Sequence, residues 1–71
     1  MSLTIKFIGV GKGKRSWETE IPALQYIYLA REVRKKARIV SPDLEFDYNY
    51  DNGLGKILID STVVGEWRIV S

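Results

Sequence analysis

Seventy-one residues without a cysteine provide one hydrophobic core, with no room for a second and neither disulfide staples nor thiolate metal ligands. At 45% hydrophobic, with two Trp, four Tyr and two Phe, the composition excludes a disordered chain. The formal charge of +2 conceals a division: residues 1–40 carry nine basic and three acidic side chains, residues 41–71 two and six. Such a split points to an anion-binding surface, to head-to-tail attraction between copies, or to neutralisation within one molecule.

A domain this small is modestly stable, on the order of 3–5 kcal/mol. No apolar run has the length of a membrane span, and the opening MSLTIKFIGV lacks the charged n-region and small-residue cleavage site of a signal peptide. A cytoplasmic protein that does not engage a membrane is therefore expected.

Leu3 to Val10 alternates, with Leu3, Ile5 and Phe7 opposed to Thr4 and Lys6, which predicts a strand with one buried face. Gly9, Gly11 and Gly13 then interrupt it, predicting a turn with a flexible basic tip. Arg15 to Ile21 resumes alternation, with Trp17, Thr19 and Ile21 facing inward, so the two strands form a hairpin.

Pro22 to Arg38 is the one segment with helical periodicity, and Pro22 suits a first helical turn. Projected at 100° per residue, Ala23, Tyr26, Ile27, Ala30, Val33 and Ala37 form the face expected to lie on the sheet. Leu24, Tyr28, Arg31, Lys35 and Arg38 form a second, outer stripe, and Glu32 with Lys36 makes an i,i+4 pair. Ser41-Pro42-Asp43 turns the chain.

Leu44 to Asp51 alternates apolar and aromatic residues with Glu45, Asp47, Asn49 and Asp51. Asn52-Gly53 is a hairpin signal, with a bulge expected at Leu54-Gly55. Lys56 to Asp60 reads as a short strand, Ser61-Thr62 as a turn, and Val63 to Val70 as the last strand. The order ββαβββ predicts an α+β fold with an antiparallel sheet and one helix packed on one face. A single domain over residues 1–71 follows, with no repeat or linker.

Several chemistries fail at the level of spacing. A phosphate-binding P-loop needs a glycine where Ile8 stands and a Ser or Thr where Arg15 stands. The dinucleotide fingerprint fails because a strand, not a helix, follows the glycines. Asp47-x-Asn49-x-Asp51 resembles the opening of a calcium loop, but Asn52 occupies the glycine position and Leu58 that of the closing glutamate. Without His or Cys, and with no spacing that joins a nucleophile to a base, no enzyme, metal or cofactor is expected.

What remains is charge. Lys12, Lys14 and Arg15 at the hairpin tip, with Arg31, Arg34, Lys35, Lys36 and Arg38 on the helix, form two cationic clusters. Lys and Arg at this density suit contacts to the phosphate backbone of DNA or RNA, with Trp17 or Tyr28 available to stack on bases. The bland account of the helix cations is that they complement the helix dipole. The alternative class is a protein partner or homodimer, docked on Leu24 and Tyr28 of the outer stripe, or on the edge that Val64 and Val70 would give the last strand.

Overall fold

Residues 2–70 are described by a computed structural model. The expected α+β class and ββαβββ order are present: β1 Leu3–Val10, β2 Arg15–Ile21, α1 Tyr26–Lys36, β3 Leu44–Asn49, β4 Leu54–Ile59 and β5 Thr62–Ile69. The strands form one antiparallel sheet in the order β2-β1-β5-β4-β3.

The core lies between α1 and one sheet face. Ile5, Phe7, Val10, Ile21, Leu44, Ile57 and Trp67 from the strands meet Leu29, Ala30 and Val33 from the helix, all buried. Each strand sends alternate residues to that face, as a period of two requires. The other face carries Lys6, Glu18, Glu20, Glu45, Asp47, Lys56, Glu66 and Arg68. Its cross-strand neighbours include Lys6 opposite Glu18, and Lys56 between Asp47 and Glu66. Opposite charges at these spacings support the sheet on its own solvent side.

Strand order corrects one expectation directly. β5 lies between β1 and β4, so Val64 and Val70 offer no free edge to another chain. The edges are β2 and β3, which carry Glu18 and Glu20, and Glu45 and Asp47, charges that discourage edge-to-edge pairing.

The helix is shorter than Pro22–Arg38. Pro22 to Leu24 form a bend, and Gln25, extended at φ −134° and ψ 148°, is the N-cap without a side-chain hydrogen bond. Pro22 therefore ends the strand region instead of opening the helix. The buried face is also rotated relative to the projection. Leu29, omitted from it, is buried, whereas Ile27 is 55% exposed. Tyr26 stays on the sheet side through its hydroxyl, which donates to the Leu44 carbonyl at 2.9 Å.

Turn chemistry differs at three places. The β3–β4 loop is four residues, Tyr50 to Gly53, because Asn49 pairs with Leu54 and the Gly53 amide donates to the Asn49 carbonyl at 2.9 Å. Gly53 takes φ +70°, the left-handed conformation that this closure requires. The bulge expected at Leu54-Gly55 lies instead between Ile57 and Leu58. The last hairpin turns at Asp60-Ser61, both at positive φ, the geometry of a two-residue I′ turn one position earlier than expected.

Candidate anion-binding surface

The topology determines where the cations meet. β2 runs away from the β1–β2 tip, α1 returns over the sheet, and β3 begins again at the starting end. An 11-residue helix covers about 16 Å of return and the seven-residue β2 about 23 Å, so the helix C-terminus comes back close to the tip. Lys12 and Lys14 of the tip and Arg38 beyond the helix, apart in sequence, are brought to one place by this crossover.

Their junction is a groove of about 630 Å³. Ala37, Ile39, Ile59, Val63 and Val64 supply its apolar floor, and Lys12, Lys14 and Arg38 its cationic rim, with Gly11 and Gly13 between them. The tip is fastened to the sheet at its first residue, Gly11. The Gly11 amide donates to the Val64 carbonyl at 2.9 Å, and a Cβ on Gly11 would stand 3.7 Å from Ala37 and Ile39. At its base, the Gly9 amide donates to Ser16 Oγ at 3.0 Å, and the Lys14 amide to the Gly11 carbonyl at 3.2 Å.

A second, shallower depression lies farther along the helix, lined by Ile27, Arg31, Arg34 and Lys35. Arg15 is exposed at the start of β2 and Lys36 at the last helical position; neither lines a groove. Arg34, Lys35 and Lys36 occupy the final turn, where each cation also gains about 0.3–1 kcal/mol from the helix dipole. The one helical acid, Glu32, has a buried Oε1 without a hydrogen-bond partner. Glu45 and Asp47 stand on the far sheet face, because Leu44, Phe46 and Tyr48 belong to the core side of β3.

The expected aromatic contributors behave differently. Trp17 stacks on Phe7 at 4.6 Å and 16°, and its buried Nε1 has no partner, so its ring is occupied by the core. Tyr28 is half-buried and packs against the core, so it does not form an exposed pair with Leu24. The exposed apolar residues at the start of the helix are Leu24, Tyr26 and Ile27. The groove floor was not foreseen. Ile39 alone had a signal, since an apolar residue just beyond a helix end commonly packs back on it.

Arg38 holds φ +58°, a left-handed position just past the C-cap Ala37 where glycine is the favoured residue. Arg38→Gly is expected to raise stability by about 0.5–1 kcal/mol while deleting a rim cation. Chemical denaturation checks the sign; a loss of stability would mean that the guanidinium stem packs on the floor more strongly than the backbone is strained.

No family model, curated protein or solved structure matches the chain significantly, so what this surface does rests on its own chemistry. Among the described residues, no helix is long and apolar enough to cross a membrane.

Proposed function

We propose that this protein is a small non-enzymatic binding module that contacts nucleic-acid phosphates through the hairpin tip and the C-terminal half of the helix. The observation that carries the reading is convergence: Lys12, Lys14 and Arg38 rim one groove, and Arg31, Arg34 and Lys35 line a depression on the same helix. The acids of β2 and β3 lie on the other sheet face. Backbone phosphates need only this density of donors and no base-reading element. With Trp17 and Tyr28 engaged in packing, base stacking contributes little, and duplex and single strands should be bound with little sequence preference. Such a module would work in the cytoplasm, where a fold built without disulfides is at no disadvantage.

Fluorescence anisotropy with labelled duplex DNA, single-stranded DNA and RNA tests this. Four phosphate contacts on a duplex imply roughly 100-fold weaker binding at about 200 mM salt than at about 50 mM. Arg34→Glu with Lys35→Glu should lower affinity at least about tenfold at low salt; both side chains are exposed, so the fold is retained, at a cost of about 1–2 kcal/mol from the reversed helix-dipole interaction. Absence of binding at low salt, or binding indifferent to salt, overturns the reading.

A second reading, docking of a protein partner on the outer helix face, is favoured by one observation: Ile27 is exposed among Arg31, Arg34 and Lys35, near exposed Leu24. Ile27→Ser would remove the apolar contact that such docking needs and, adding no charge among Arg31, Arg34 and Lys35, leave the salt-dependent anisotropy largely intact.

A further inference from the structure

The two ends of the sheet carry complementary surfaces, and we propose that they join: the β3–β4 loop of one copy seats in the tip groove of a second copy, producing a head-to-tail assembly. The proposal shares the rim cations with the nucleic-acid reading but does not depend on it.

Strand pairing places the partners at opposite ends. The groove gathers the β1–β2 tip, the helix C-terminus and the β4–β5 turn. The β3–β4 loop, Tyr50 to Gly53, closes at the other end, where Leu54 lies opposite Arg68. A surface and its complement on opposite ends of one molecule cannot satisfy each other within that molecule.

The loop has the form of a plug. Tyr50 is 83% exposed, more than any other aromatic residue. It meets Tyr48 edge-on at 4.8 Å and stands next to the carboxylate of Asp51. The backbone around it is already ordered: the Asp51 amide donates to Asn49 Oδ1 at 2.9 Å, and the Leu54 amide to Asn52 Oδ1 at 3.0 Å. A pre-ordered loop loses little conformational freedom on docking.

The groove has the matching form. Val63 in its floor is 50% exposed, a β-branched side chain left facing water. A tyrosine brings an apolar ring to that floor and keeps its hydroxyl at the wet rim. Lys12, Lys14 and Arg38 then meet Asp51, opposite charges that select the orientation. In the head-to-tail arrangement each pair of copies keeps one loop and one groove free, so a chain of copies can extend. One loop in one shallow groove buries less than about 1,200 Å², the range of weak, transient contacts.

Sedimentation of the full chain, without nucleic acid, from about 10 μM to about 1 mM reads a contact of this size. Wild-type average mass should rise with concentration and fall at high salt, since the charged rim is screened. Tyr50→Ser/Asp51→Lys removes the plug, and Lys14→Glu/Val63→Glu spoils the groove; all four positions are exposed, so the fold is retained. Each variant alone should remain monomeric. Their equimolar mixture keeps one good loop and one good groove, and should give a species of twice the monomer mass and nothing longer. A monomeric wild type throughout, association that survives in both variants, or a monomeric mixture each overturns the proposal. Association that appears only when an oligonucleotide is added overturns it too, and assigns the groove to nucleic acid.

Discussion

Gly55→Ala is expected to destabilise the protein by about 3 kcal/mol, enough to consume most of the stability available to a domain of this size. An added Cβ would fall 2.3 Å from Trp67 Cε2, 2.4 Å from Trp67 Nε1 and 2.8 Å from the Asp47 carbonyl oxygen. Neither obstacle yields easily. The Trp67 indole is stacked on Tyr48 at 5.1 Å, and its Nε1 donates to the Lys56 carbonyl at 3.3 Å; the Asp47 oxygen belongs to the neighbouring strand. Overpacking usually costs about 1–3 kcal/mol, and two rigid obstructions put this site at the upper end. Urea denaturation gives the loss. Trp67→Phe, which removes the indole nitrogen, separates the two causes: in that background the alanine should cost at least about 1 kcal/mol less. An equal cost in both would transfer the strain to the Asp47 carbonyl.

Gly55 also illustrates how far the amino-acid pattern could be read. As a glycine after Asn52-Gly53-Leu54, it looked like part of a widened turn. Its actual reason for being glycine is the tryptophan directly opposite it on the next strand, and no local pattern reports that. Features with local causes were legible. The alternation of Leu3, Ile5 and Phe7, and of Leu44, Phe46 and Tyr48, places the correct residues on the core face, and five strands around one helix follow. Where two local signals competed, the weaker physical one misled. Pro22 suits a helix start, yet it lies in a bend, and a helix beginning at Tyr26 turns Leu29 inward and Ile27 outward.

The candidate site was legible as a composition and not as a place. All eight cations could be named, since charge density is a sequence property. Whether they act together depends on β2 and β3 lying at opposite edges, with the helix carried back between them. That crossover is a non-local consequence of strand order, as is the central position of β5, which removed the edge expected for Val64 and Val70. The same order sets Glu45 and Asp47 against Leu58 and Lys56 on the far face, leaving the tip cations to the groove. The floor that makes the groove more than a basic patch comes from three separate segments, none remarkable alone: Ile39 after the helix, Ile59 at the end of β4, and Val63 with Val64 in β5.

Gly65→Ala should couple core and groove in one measurement. Its added Cβ would lie 2.9 Å from both Cα and Cγ2 of Val10. Val10 Cγ2 can rotate away, but the Cα can move only if the end of β1 moves with it. That end leads directly to the tip, whose Gly11 amide is fastened to the Val64 carbonyl beside the substitution. The expected result is a loss of about 1–3 kcal/mol, typical of an overpacked position. A local signature accompanies it: the Gly11 amide should exchange with solvent at least about tenfold faster relative to core amides, as its hydrogen bond is lengthened. Lys12 and Lys14 then stand farther from Arg38, so phosphate binding and self-association both weaken at temperatures where the sheet is still folded. Gly55→Ala, by contrast, strains the sheet near the opposite end and should leave Gly11 protection relative to the core unchanged. If Gly65→Ala destabilises the protein while Gly11 stays fully protected, Val10 is accommodated within β1, and the tip is positioned by Ala37 and Ile39 instead.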